Sequence, residues 1–127
     1  MRRLLFVLLL AASSAAGAEW MRLGESGDVT FYVEPASVVR VDDVVGLVTL
    51  HDYKAPRTTY RGWIYRSEKF RGEFDCQRER WRVVHSTFHP GAMGTGPVFG
   101  DTYSGPWAAV TSGSVADTTW KFACGKK

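Results

Sequence analysis

Three histidines, two cysteines, a glycine-rich segment and a run of interleaved cations and aromatics are the parts of this 127-residue chain that could do chemistry. His85 and His89 stand four apart, a spacing that on a helix would set both imidazoles on one face, as in many metal and acid–base sites. The segment from Arg78 to Phe88 reads instead as a strand leading to Pro90. On a strand both rings still share a face, but about 13 Å apart at ~3.3 Å per residue, too far to hold one ion. His51, beside Asp52, would have to meet them across a sheet, and the expected role of all three is that of partly exposed sheet histidines. Gly91 to Gly96 lacks the Lys-Ser/Thr of a phosphate-binding loop and opens no helix, so a turn is expected there. Ser112 and Ser114 lack a Gly-x-Ser-x-Gly setting, and the pair Asp42-Asp43 lies in a turn signature. The residues define no catalytic constellation, no metal ligands and no cofactor motif, and an enzyme is not expected.

Cys76 and Cys124 are the two cysteines. Two thiolates 48 apart cannot make a zinc site alone. In a chain that leaves the reducing cytoplasm, such a pair is most simply one disulfide. The basic stretch is the second feature. From Arg57 to Arg82 there are eight Lys/Arg and four Asp/Glu, interleaved with Tyr60, Trp63, Tyr65, Phe70 and Trp81. If the two long strands of this stretch pair, several cations line one exposed face. Arg66, Lys69, Arg71, Arg80 and Arg82 are the expected binding residues, for a protein segment or an acidic glycan. The competing expectation is a solvated face of cross-strand pairs with Glu68, Glu73 and Glu79, each worth tenths of a kcal/mol.

The elements that must position these residues are mostly strands. Hydrophobic residues make up 45% of the chain and aromatics 13%, with 23% charged, which excludes disorder as the main state. Arg2-Arg3, the apolar run Leu4–Leu10 and Ala16-Gly17-Ala18 read as a cleavable signal peptide over residues 1–18. No Cys follows the run, so no lipobox is expected, and no later stretch is long enough to span a bilayer. Residues 19–127 are expected to form a single domain carrying 14 basic and 13 acidic residues, a balance that does not suit a nucleic-acid binder. Strands are expected at Trp20–Leu23, Val29–Val33, Val44–Tyr53, Tyr60–Phe74, Arg78–Phe88, Val98–Phe99 and Trp107–Val110, with one helical turn near Pro35 and a loop over Lys54–Thr59. Gly46 is a candidate bulge, and the parity change between Trp81 and Phe88 asks for another. Ser114-Val115-Ala116-Asp117 fits a capping pattern, so a C-terminal helix of about ten residues ending at Gly125 is expected. Such a helix cannot stand alone in water and must pack on the sheet. The fold class is therefore α+β: a small antiparallel sheet of about six strands with one C-terminal helix pinned by the disulfide.

Several stretches together resemble the surface-adhesin protein E family of Proteobacteria. They are Glu19-Trp20, Gly24-Glu25-Ser26, Phe31 to Ser37, Asp52-Tyr53, Tyr65-Arg66-Ser67, Phe74-Asp75-Cys76, Met93 to Pro97, Trp107, Ser112 to Val115 and Cys124. The resemblance implies the same sheet, helix and single disulfide, and a non-enzymatic role in binding host matrix and plasma proteins, with self-association into a homodimer. The family's named member is lipid-anchored, whereas no lipobox is read here. The expected location is the periplasm of a Gram-negative cell, with the cell surface or secretion as alternatives. The expected function is an exported adhesin-like binding module. The alternative is a periplasmic envelope-associated protein that binds cell-wall or lipid components.

Overall fold

The computed structural model describes residues 19–102 and 104–126. The expected signal segment, residues 1–18, lies outside them. The backbone forms one antiparallel sheet and one helix. The strands are β1 (Met21–Ser26), β2 (Val29–Val33), β3 (Val39–Val41), β4 (Val44–Thr58), β5 (Ile64–Asp75), β6 (Arg80–His89), β7 (Phe99–Thr102) and β8 (Ala108–Ala109), followed by α1 (Val115–Ala123). Six of them run in the order β1-β2-β4-β5-β6-β7. The two short strands extend this sheet, β3 along β4 and β8 along β6. The long β4 therefore has β2 and β3 end to end on one edge, bridged by the 3-10 turn Pro35–Ser37, and β5 on the other.

Strand periodicity sets two unlike faces. Val29, Phe31 and Val33 of β2, Val45, Leu47 and Thr49 of β4, and Phe70 and Phe74 of β5 point to one face and are buried. Helix α1 covers this inner face, its Trp120 joining Val33, Val45, Leu47 and Phe74 in the core. The bulge expected in β6 falls at Val84, because Gly72 pairs with Val83 and Arg71 with His85. It lets Trp81 and Phe88, of opposite parity, both serve the inner face. The bulge expected at Gly46 is absent: Gly46 pairs in regular register with Glu73 and Val39. Instead the register of β4 shifts between Asp52 and Arg57, within the stretch expected to be a loop. Pro56 sits in that irregular segment, where its missing N–H breaks no ladder bond, and the strand runs on to Thr58. β1 likewise extends past the expected stop at Gly24. A Cβ there would come within 3.0 Å of the Phe31 ring, so glycine allows the close approach of β2.

The helix is held mainly at its end. Ser114 Oγ accepts from the Asp117 N–H (3.1 Å), and the Asp117 carboxylate accepts from the Gly113 N–H (3.0 Å), closing the first turn. At the other end the Trp120 indole donates to the Asp75 carbonyl (2.9 Å), and Cys76 and Cys124 form the disulfide, with Cα atoms 5.5 Å apart. The Asp75 carboxylate accepts from the Gln77 and Arg78 N–H groups and from Arg80 Nε, all at 3.0–3.1 Å, and so shapes the β5–β6 turn. The disulfide closes a long loop, and on the chain-entropy view contributes about 4 kcal/mol. Cys76→Ser with Cys124→Ser should lower the free energy of urea unfolding by roughly that amount. A loss under about 1 kcal/mol would show that packing alone holds the helix.

Candidate functional site

The outer face, opposite α1, carries the cations. The pairings Lys69–Thr87, Arg71–His85, Glu73–Arg82 and Asp75–Arg80 lay Lys69, Arg71, Arg80 and Arg82 along two adjacent strands. Four of the five expected binding residues are thus brought together. The fifth, Arg66, lies near the irregular end of β4, where its Nε donates to the Tyr53 carbonyl (3.0 Å).

The four differ in how free their charge is. Arg80 Nε lies 3.0 Å from Asp75 Oδ2, and Arg82 donates through Nε and Nη2 to Glu73 Oε1 at 3.1 and 2.9 Å. Both guanidiniums also lie against the Trp107 ring, at 4.5 and 4.6 Å from its centroid. This cation–π arrangement makes a flat rail of alternating charge and ring. Lys69 is covered in part by the Gly91–Gly96 segment. A Cβ on Gly94 would stand 3.1 Å from its Cε. Arg71 is exposed, and no carboxylate among the described residues is paired with it. It stands in a groove of about 560 Å³ between Trp107 and Arg82 on one side and the strand β3 on the other. From β3 the groove receives Val39 and Val41, which are 52% and 65% exposed. Asp42 and Glu73 line the groove as well, Glu73 engaged by Arg82, and Arg71, between exposed valines and a cation-flanked tryptophan, is the cation left to meet a segment that is both acidic and apolar.

The glycine-rich segment is anchored rather than catalytic. Ser67 Oγ, buried beneath it, donates to the Gly91 carbonyl (2.6 Å) and accepts from the Gly94 N–H (2.8 Å). The Met93 N–H donates to Asp52 Oδ1 (2.9 Å). The segment therefore folds back over the outer face, as an expected turn stabilised by two side chains of the sheet.

The histidines do not converge. His85 is exposed on the outer face, while His89 is 1% exposed with Nε2 3.0 Å from the Thr87 hydroxyl. The shared exposure expected of them is corrected on this point: the 3-10 turn Ala92–Gly94 and its flanks close over His89 and leave His85 open. His51 lies on the inner face, its ring 4.5 Å from that of Phe70. Among the described residues no group of three or more His, Cys, Asp or Glu is arranged to hold a metal ion. Trp107, read in the sequence as part of the resemblance and of a last strand, and the β3 valines were not among the expected binding residues. Only the neighbouring register of β6 makes Trp107 a partner of Arg80 and Arg82.

A meander sheet with one face carrying a disulfide-tethered helix, and the other left open with arginine, tryptophan and valine, defines a small binding domain. The family model described as surface-adhesin protein E matches residues 20–125. The chain belongs to the surface-adhesin protein E family, an assignment that supports an exported, adhesin-like binding protein and points away from an enzyme. Crystal form II of Haemophilus influenzae protein E superposes with a TM-score of 0.69 at 14% identity, over 91% of this chain and 94% of that one. Protein E from non-typeable Haemophilus influenzae gives 0.64 at 14% identity, over 91% and 82%. At this identity the likeness shows the fold. Comparison with curated proteins gives no match.

The buried histidine yields a pH prediction. Burial, reinforced by Arg57, holds His51 down to about 4 from an ordinary value of 6.5. The unfolded chain therefore takes up a proton that the folded chain refuses between these values, and stability falls as pH drops through that window. Glu68, its register neighbour, is raised by burial and works in the opposite direction. Between pH 7.5 and 4.5 the wild type should lose about 2 kcal/mol more than His51→Phe in urea unfolding. Parallel losses in the two proteins would show that His51 is readily protonated in the fold.

Proposed function

We propose that this protein is an exported adhesin-like module whose outer face takes acidic, partly apolar segments of extracellular-matrix or other host proteins. Residues 1–18 serve as its cleavable signal, and residues 19–127 are its working domain. The observation that carries the reading is the groove in which Arg71 stands, with no carboxylate partner among the described residues, between the β3 valines and the Trp107 rail. Two of the other cations, Arg80 and Arg82, are balanced by Asp75 and Glu73, so their part is to present a shaped edge more than to add net charge. Family membership supports the same class of activity.

Binding by such a face combines a few buried anchors with a charged contact that sets orientation. Lys69 extends the cationic row toward the Gly91–Gly96 segment, and Arg66 lies at its far margin. Sulfated glycans offer the charge without the apolar part, so heparin should bind more weakly and with steeper salt dependence than a matrix protein.

Arg71→Glu and Trp107→Ala, tested separately against an immobilised extracellular-matrix protein, should each weaken binding at least about tenfold, or 1.4 kcal/mol. Far-UV circular dichroism should be unchanged, because both residues lie outside the core. Unchanged affinity in both variants would sink the outer-face reading. Protease treatment of intact cells tests the location: digestion places the protein at the surface. Protection until the outer membrane is opened would place it in the periplasm, with a cell-wall or lipid partner instead.

A further inference from the structure

The inner face holds a second opening that the outer-face reading does not use. Helix α1 is tied to the sheet through Trp120 and Cys124, both in its last turn. Its first turn has no comparable tie, and side chains there are small: Val115, Ala116 and Thr119 face the sheet across a cavity of about 370 Å³. The floor is aromatic, made by Phe70, Phe74 and the ring of His51. Trp81, stacked on Phe74 at 6.3 Å between centroids, and the two alanines of β8 form the wall. The space is a cleft open to solvent, with Ala108, Ala109 and Thr111 exposed at its rim, and larger side chains at these positions would fill it. Here alanine stands at positions 108, 109 and 116.

We infer that this cavity is a binding site for an uncharged, largely apolar small molecule carrying one polar group. Its volume lies within the range of small-molecule sites, which open at about 300 Å³. None of its lining residues carries a formal charge near neutral pH. Lys, Arg, Asp and Glu are all absent from it, and the His51 imidazole is kept neutral by burial and by Arg57. An ion entering it would lose water without touching a counter-charge, since Arg57 acts on His51 from outside the lining, whereas a neutral ligand loses little. The polar group of the ligand has a partner in His51. The hydroxyls of Ser114 and Thr119 are already donated to the Thr111 and Val115 carbonyls. Selection in this site therefore acts on charge and thickness: a flat or slender molecule slides between the aromatic floor and the alanine roof.

The probe for the test is N-phenyl-1-naphthylamine, an uncharged fluorophore of two aromatic units with one N–H. Titrated into the full chain, it should give a saturable fluorescence rise with one site per chain. The charged analogue 8-anilinonaphthalene-1-sulfonate should bind at least tenfold more weakly. Ala116→Phe, which fills the opening from the roof, should weaken the neutral probe at least tenfold. Tyr60→Ser removes the most exposed aromatic of the β4–β5 hairpin, 93% exposed, and should leave binding unchanged. In the wild type, methyl resonances of Val115 and Thr119 should shift on titration, a readout that does not depend on any variant folding. The inference is overturned by the absence of saturable binding, by equal binding of the charged analogue, by full binding in a folded Ala116→Phe protein, by loss in Tyr60→Ser, or by methyl shifts confined to other residues. Each of these outcomes leaves the outer-face function standing, since the two sites lie on opposite sides of the sheet.

Discussion

The tie between Asp75, Cys76 and the last turn of the helix is the constraint on which the rest of the structure depends. A nine-residue helix is unstable by itself, and a single-layer sheet with one apolar face is insoluble by itself. Each needs the other, yet the helix arrives last in the chain and with few residues to spend. The indole bond to the Asp75 carbonyl and the adjoining disulfide solve this by concentrating the docking at one end. Because the carboxylate of the same Asp75 shapes the β5–β6 turn, the turn and the helix are set by one residue. One end of the helix is fixed, and its capped start stands over a cavity.

The sheet divides its work between two faces through the period of two along each strand. The inner face carries aliphatic and aromatic residues and the few polar atoms buried with them. Beyond the part that the Gly91–Gly96 segment covers, the outer face has no second layer, and it is kept soluble by alternating charges. Pairing Glu73 with Arg82 and Asp75 with Arg80 satisfies most of these charges locally. The half-exposed Glu73–Arg82 pair adds little to stability. The effect of the two pairs is geometric: they hold two guanidiniums flat against Trp107 and leave Arg71 as the charge still available to a partner.

Much of this was legible in the sequence, and what was not has physical reasons. The C-terminal helix announced itself through Ser114, Asp117 and Gly125, because capping is a local matter of side chain and neighbouring backbone. The Cys76–Cys124 bond followed from number and compartment. The alternation of β5 placed Lys69 and Arg71 on one face, and adding β6 placed Arg80 and Arg82 beside them. Arg66 falls outside the group by the same alternation: three residues before Lys69, it has the opposite parity, so grouping it with Lys69 and Arg71 by charge alone ignored the period of the strand. Tyr65 shows the reverse failure: it packs against Tyr53 and Phe88, although simple alternation would group it with Ser67. Pro56 suggested a loop, and only the pairing partners could show that a strand passes through it.

The tether also explains how one small domain can carry two openings without losing its fold. Stability is gathered in the core around Trp120, in the disulfide and in the paired body of β4 and β5, which together span the middle of the molecule. Neither the groove beside Arg71 nor the cavity beneath Ala116 removes a residue from the Val33–Leu47–Trp120 cluster; Phe74 alone is shared, as part of the cavity floor. Substitutions at Arg71, Trp107 or Ala116, which lie outside that cluster, therefore act on binding first and on folding second. A family built this way can change partners by altering side chains on β3, β6 and the start of α1, while the Asp-Cys turn and the last turn of the helix stay as they are.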